Sequence, residues 1–177
     1  MVVSVRCDYE TAFIFATTGT GPAGIVLDAA GNVYTANNGS NNVSKITPDG
    51  TSSIILGATG ASPRGIALDT AGNVYTANVN SNNVSKITPD GTSTILGTTG
   101  NNPFGLALDA AGNVYTANYG SSNVSKITPA GTSTILGTTG NSPRGIALDA
   151  AGNVYTANQG PSNMSKNTPD ATSTILA

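Results

Sequence analysis

The 177-residue chain contains no histidine and no tryptophan, and Cys7 is its one cysteine. The first absence removes the commonest metal ligand and the commonest general base. A single thiol excludes an internal disulfide and a multi-thiolate metal site. Cys7 stands outside the repeat described below and reads as an incidental small apolar residue. Charge is scarce as well: Asp, Glu, Lys and Arg make up 9% of the residues, against roughly 25% in average soluble domains. The polar surface must therefore come from Asn, Ser, Thr and Gly. That composition is common in secreted and cell-surface repeat proteins, and an extracellular or surface setting is expected. The N-terminus nevertheless lacks the charged start and apolar run of a signal peptide. The net charge is −2, and the seven cations are dispersed. Lys45, Lys86, Lys126 and Lys166 recur once per repeat, leaving Arg6, Arg64 and Arg144. No clustered basic face is available to neutralise phosphates, so nucleic acid is not an expected partner. No apolar run reaches the ~20 residues needed to span a bilayer. No metal or cofactor is expected.

What the chain does have is repetition. Asn-Val-Tyr-Thr-Ala-Asn begins at Asn32, Asn73, Asn113 and Asn153, with spacings of 41, 40 and 40 residues. A fixed period near 40 is the mark of a repeat architecture. In the unit from Pro63 to Asn102, four short segments read as strands: Gly65–Asp69, Asn73–Ala77, Asn83–Thr88 and Thr92–Leu96. Each is of usual strand length, and most are rich in Val, Ile, Thr or Tyr. None carries helical periodicity. Turn chemistry separates them: Asp69-Thr-Ala-Gly-Asn73 after the first and Thr88-Pro-Asp-Gly-Thr92 after the third. Four short antiparallel strands repeated every ~40 residues describe a β-propeller blade. A parallel β-helix with two coils per repeat is the alternative. The unlike halves of the unit and the Pro-Asp-Gly hairpin weigh against it.

Gly-Ile-Ala-Leu-Asp-x-Ala-Gly-Asn-Val-Tyr-Thr-Ala-Asn, followed by a short loop and Asn-Val-Ser-Lys-Ile, resembles the NHL repeat. It is also similar to blades of virginiamycin B lyase-like and gluconolactonase-like propellers. The resemblance covers residues 22–177 and implies an all-β propeller, usually of six blades. It leaves function open, because those families include enzymes, binding modules and scaffolds. For the enzymes it implies metal held by His or carboxylates in the central channel. With no His present, the lyase constellation carries over to no position of this chain.

The sequence accordingly predicts about 4.5 blades: a degenerate partial blade over 1–21, with its last strand at 11–16, and four blades over 22–62, 63–102, 103–142 and 143–177. The last blade already has its own fourth strand, so the strand at 11–16 is surplus and the ring is open or partial. Bare blade faces are rarely left on soluble monomers. A chain that is part of a longer propeller is one expectation, and homo-oligomerisation through those faces is another. Blunting is a third, because Asn167 replaces an Ile, Met164 a Val and Ala171 a Gly in the last unit. Terminal repeats often turn polar as caps; decay at the end of a duplicated array is the rival reading of the same substitutions.

Function should sit where the copies disagree. Both turns described above are nearly fixed, whereas the loop after the second strand and the link before the first strand vary. Because strand directions alternate, the two variable connections share one side of the disc. Arg64, Phe104 and Arg144 should lie at its inner rim beside Asn102, with Val79, Tyr119 and Gln159 further out. A rigid scaffold presenting variable loops is a common design for recognition. The expected function is a non-enzymatic scaffold binding a protein or carbohydrate through these residues. A lyase- or lactonase-like enzyme and a self-assembling structural element are the alternatives. Two recurring features read as structural. Asp28, Asp69, Asp109 and Asp149 suit an Asx-type turn better than a ring of metal ligands. The lysine of each Val-Ser-Lys reads as a solvated outer-strand charge that discourages edge pairing. Asn-x-Ser sequons recur at Asn42, Asn83, Asn123 and Asn163, with one extra at Asn38, and the recurring four read as by-products of the repeat.

Overall fold

Residues 16–176 are described by the computed structural model. Cys7 and all but the last residue of the strand expected over 11–16 lie outside the described residues. Sixteen strands form four antiparallel sheets, each of four strands in chain order. Blade 1 comprises β1 (Pro22–Leu27), β2 (Val33–Asn37), β3 (Asn42–Ile46) and β4 (Ser53–Ala58). Blade 2 holds β5 (Pro63–Leu68), β6 (Val74–Asn78), β7 (Asn83–Ile87) and β8 (Ser93–Thr98). Blade 3 holds β9 (Pro103–Leu108), β10 (Val114–Asn118), β11 (Asn123–Ile127) and β12 (Ser133–Thr138). Blade 4 ends the series with β13 (Pro143–Leu148), β14 (Val154–Asn158), β15 (Asn163–Asn167) and β16 (Ser173–Leu176). The first strands pack side by side along the inner edge, β1 on β5, β5 on β9 and β9 on β13. The arc is not closed from β13 back to β1. The fold is therefore a partial propeller of NHL-like blades.

Strand alternation gives every blade two chemically distinct faces. In blade 1, Tyr34 stands opposite Lys45 and Val26, and Ala36 opposite Val43. These residues make one face, together with Leu56. Ile25, Leu27, Val33 and Ile46 make the other. The core is the stacking of the first kind of face on the second. Tyr34, Val43 and Leu56 of blade 1 pack on Val74, Ile87, Ile66 and Leu68 of blade 2. The same seam recurs between blades 2 and 3, and again between blades 3 and 4. Asn-Val-Tyr-Thr-Ala-Asn recurs because its Val and its Tyr serve opposite seams.

The Lys of each third strand is not an edge charge, since a fourth strand lies outside it. Lys45 Nζ sits 5.6 Å from the Tyr34 ring centroid, and the other blades repeat the pair at 5.6–5.8 Å. Cross-strand register places each ammonium over its aromatic neighbour.

A polar network is buried in every blade. Asn37 Nδ2 donates to Asn42 Oδ1 (2.7 Å) and Ser44 Oγ (2.9 Å), and Thr35 Oγ1 donates to Asn37 Oδ1 (3.0 Å). Ser44 Oγ also accepts from the backbone N–H of Gly19 (3.0 Å), in the link that enters the blade. Asn78, Asn118 and Asn158 make the corresponding contacts. The network thus fastens each incoming link to the second and third strands.

The last blade is not blunted. Asn167 lies on the face packed against blade 3, where it is fully buried. Its Oδ1 accepts from Ser173 Oγ at 2.6 Å, but its Nδ2 has no partner. The equivalent positions are Ile46, Ile87 and Ile127. Met164, on the bare face, remains apolar and is 47% exposed. Asn167 is therefore a buried defect in a seam rather than a cap. Asn167→Ile is expected to stabilise the fold by about 2 kcal/mol, by removing an unpaired amide and restoring apolar packing. The midpoint of urea unfolding should rise accordingly.

Candidate functional site

The two variable connections are hydrogen-bonded to each other on one side of the arc. The N–H groups of Val79, Tyr119 and Gln159 donate to the carbonyls of Ser62, Asn102 and Ser142 at 2.9–3.0 Å. Each loop residue is thereby fixed beside the link of its own blade. Ser62, Asn102 and Ser142 hold positive φ of 51–58°, which turns the link into the first strand. Arg64, Phe104 and Arg144 follow one residue after the Pro that opens each of these strands.

Four of the seven residues singled out from sequence meet. Phe104 and Tyr119 of blade 3 stack with ring centroids 4.9 Å apart. Arg64 of blade 2 places its guanidinium carbon 4.8 Å from the Phe104 centroid. Arg144 of blade 4 reaches the same ring at 5.1 Å and the Tyr119 ring at 5.2 Å. Both arginines are exposed and the two rings are half-buried. Ser142 and Arg144, next to the Tyr119 hydroxyl, hold its pKa below the ordinary phenol value. The remaining three residues do other things. Val79 is buried, at 8% exposure. Asn102 spends its side chain on the neighbouring blade, donating from Nδ2 to the Val79 carbonyl at 3.2 Å. Gln159 is exposed but is not part of the aromatic contact.

The opposite side is acidic. Asp28, Asp69, Asp109 and Asp149 lie between first and second strands, and Asp49, Asp90 and Asp170 between third and fourth. These are all the carboxylate side chains among the described residues. The small net charge thus conceals a polarised disc, with carboxylates on the turn side and the two described arginines on the loop side. Sequence reading placed the arginines but did not register this separation, although the repeat positions of Asp already contained it.

The aspartates of the first turn are engaged by the turn itself. Asp69 Oδ1 accepts from the N–H groups of Ala71 (3.0 Å) and Asn73 (2.9 Å). Its Oδ2 accepts from Asn73 Nδ2 (2.7 Å) and the Tyr75 hydroxyl (3.0 Å). Three other turns repeat this set. Burial pushes the Asp69 and Asp109 carboxyls up, but the donors outweigh it and hold them below the usual carboxylate range. Burial, and then the bond to the aspartate, pushes Tyr75 and Tyr115 up to about 12. The pH dependence follows from both shifts. A carboxyl whose pKa is lowered by folding contributes stability above its unfolded value of about 3.9, and that is lost as pH falls through the folded value. A phenol whose pKa is raised contributes fully below about 10, and that is lost as pH rises toward the folded value. Melting temperature is expected to hold a plateau and fall below about pH 4 and above about pH 10. Asp109→Asn should weaken the acid limb.

With the fold and this geometry established, likeness to known proteins can be assigned. The model of the virginiamycin B lyase family matches residues 6–163. The chain belongs to the virginiamycin B lyase family. Its structure is similar to that of Staphylococcus aureus virginiamycin B lyase, in a catalytically inactive histidine-to-alanine variant with quinupristin. The TM-score is 0.76 at 21% identity, over 89% of this chain and 55% of that one. A streptogramin B lyase structure gives a TM-score of 0.77 at 17% identity, over 89% and 55% of the two chains. A chain of a nidogen/laminin complex gives 0.74 at 23% identity, over 88% and 63%. The chain therefore spans about half the length of the lyase structures it matches. No curated protein sequence compared with it gave a match.

This membership corrects one expectation. The lack of histidine pointed to a chain that is not an enzyme, yet its family is one of lyases, and lyases are among the structures similar to it. Among the described residues no helix is long and apolar enough to cross a membrane.

Proposed function

We propose that this member of the virginiamycin B lyase family uses its loop side to recognise an anionic partner at the Arg64–Phe104–Arg144–Tyr119 cluster. The observation that carries the reading is the convergence of two exposed guanidiniums on one half-buried aromatic pair, with the described carboxylates on the far side of the disc. Guanidinium groups bind carboxylates with paired, charge-assisted hydrogen bonds. The rings beneath offer a flat apolar surface to the rest of the ligand. A protein presenting an acidic segment is the partner favoured, in keeping with the similarity to a chain of a nidogen/laminin complex. An acidic carbohydrate is the other partner that fits the chemistry. An extracellular or cell-surface setting belongs to the same proposal and is supported by the Asn-, Ser- and Thr-rich composition.

The family favours a second reading, in which the ligand is transformed as well as held. Quinupristin, the compound bound in one similar structure, is the probe for it. The experiment compares a polyglutamate peptide, polygalacturonate, a neutral glucan and quinupristin by titration, with product analysis by mass spectrometry for the last. The acidic probes are expected to bind in a salt-sensitive way. Replacing Arg64, Phe104 and Arg144 together with Ala should weaken them by about 10- to 100-fold at unchanged melting temperature. Equal binding by the folded triple variant would overturn the site. Conversion of quinupristin would establish the second reading.

A further inference from the structure

Tyr119 stands apart from the other described tyrosines. Tyr34, Tyr75, Tyr115 and Tyr155 each donate from the hydroxyl to an aspartate of the turn side, at 3.0–3.1 Å. Tyr119 lies on the loop side, where none of the described carboxylates is found. Ser142 and Arg144 flank its hydroxyl instead and hold its pKa below the ordinary phenol value. Its place is fixed twice: the backbone N–H donates to the Asn102 carbonyl at 2.9 Å, and the ring stacks on Phe104 at 4.9 Å. The phenol thus adjoins the Arg144 guanidinium, whose carbon is 5.2 Å from the ring centroid, and shares Phe104 with Arg64.

We propose that the cluster cleaves a 4-linked polyuronate by β-elimination, with Arg64 and Arg144 holding the carboxylate of one sugar and Tyr119 moving the proton of the adjoining carbon. The proposal rests on the reading of this cluster as an anion site, and adds a reaction to it. Among the acidic ligands that fit, a polyuronate is the one on which a phenol has chemistry to perform. Its C5–H adjoins the carboxylate, and its glycosidic oxygen stands one carbon further on as a leaving group. A polyglutamate side chain has no leaving group in that position. The C–H face of a sugar ring also suits the flat apolar surface of Phe104. Because Arg144 adjoins the phenol, a carboxylate on that guanidinium brings C5, one bond from the carboxyl carbon, within reach of Tyr119 Oη.

In the step, the Tyr119 phenolate takes the C5 proton, and the electron pair of that bond becomes the C4=C5 double bond. The C4–O bond breaks with its electrons on oxygen. That oxygen takes the proton back from Tyr119 and leaves as the free hydroxyl of the second fragment. The two guanidiniums offset the negative charge that the carboxylate gains as the C–H bond weakens. The step needs neither water nor oxidant. One phenol can make both transfers only where C5–H and C4–O lie on the same face of the sugar ring. That holds for 4-linked mannuronate and fails for galacturonate, whose C4 oxygen is on the opposite face. Polymannuronate is therefore the expected substrate, and polygalacturonate a ligand that is held uncut.

The test offers the chain polymannuronate, polygalacturonate and polyglutamate, with binding followed by titration and cleavage by the ultraviolet absorbance of the new conjugated double bond. Mass spectrometry separates elimination, whose fragments sum to the mass of the substrate, from hydrolysis, whose fragments carry one water more. All three probes are expected to bind, and polymannuronate alone to yield unsaturated fragments. Tyr119→Phe keeps the ring stack and should lower kcat by about 100-fold or more with KM and melting temperature unchanged. Arg64→Ala should instead raise KM by about 10-fold. Acidic probes that bind but are never cut would overturn the elimination and leave the anion site standing. Binding of polyglutamate alone would overturn it in favour of a protein partner, and binding of no acidic probe would remove the anion site as well. Hydrolytic fragments, polygalacturonate cut as fast as polymannuronate, or full activity of Tyr119→Phe would each overturn the role of Tyr119.

Discussion

Gly65→Ala is expected to cost about 3 kcal/mol, at the upper end of overpacking penalties, because the added methyl meets backbone that cannot turn away. The inner strands of blades 2 and 3 approach so closely that a Cβ at this position would stand 2.5 Å from the Phe104 carbonyl and 3.0 Å from the Leu106 nitrogen. Relief would require moving one blade against the next along the whole inner edge. The matched substitution at the end of the arc is the control. Gly145 occupies the same place in its blade but faces no neighbour, so Gly145→Ala should change stability by less than about 0.5 kcal/mol or raise it slightly, through lost freedom of the unfolded chain. Urea unfolding at concentrations where the chain is monomeric measures both. Equal effects of the two substitutions would show that the penalty arises within a blade and not between blades.

Asn118→Ala is expected to remove about 3–4 kcal/mol, the loss associated with breaking a buried polar network. Asn118 is fully buried, and its amide lies within hydrogen-bonding distance of Thr116 Oγ1 (2.8 Å), Asn123 Oδ1 (2.7 Å) and Ser125 Oγ (2.8 Å). Ser125 Oγ in turn accepts from the N–H of Gly100 at 2.9 Å. Truncation leaves these groups short of partners in a space that water does not readily fill. Asn101→Ala, at an exposed link position, should change stability by no more than about 0.5 kcal/mol. Comparable losses at Asn101 and Asn118 would dismiss the network as a source of stability.

Blade number, strand order and turn placement were legible because each is a local matter. Pro-Asp-Gly and Asp-x-Ala-Gly-Asn close their turns with their own residues, and a period of 40–41 residues needs no tertiary knowledge. The side of the disc that carries Arg64, Phe104, Arg144 and Tyr119 also followed, from strand alternation alone. Their contact did not, since it depends on the spacing between blades, and neither did the burial of Val79. The Thr–Asn–Asn–Ser network went unrecognised although its signal was present: polar residues kept in all four copies while exposed loops drifted. Asn167 was misread for a different reason. Sequence does not show which face of the last sheet packs on blade 3, because that depends on the direction in which blades stack. The resemblance to virginiamycin B lyase-like blades was legible in the repeat, whereas the expectation of a chain that is not an enzyme gave too much weight to the missing histidine.

The sameness of the three seams has a consequence for how the chain finds its order. A blade cannot recognise its proper neighbour by shape, because any face of one kind fits any face of the other. What selects the neighbour is tether length: Thr59–Ser62, the four residues between β4 and β5, hold the next blade at an effective concentration in the millimolar range. Blade sequence in space is thus enforced by chain connectivity, and a whole unit could be inserted or excised without rewriting the surfaces on either side. The same indifference leaves a nascent chain open to skipping a blade or borrowing one from another molecule whenever local protein concentration rivals that of the tether.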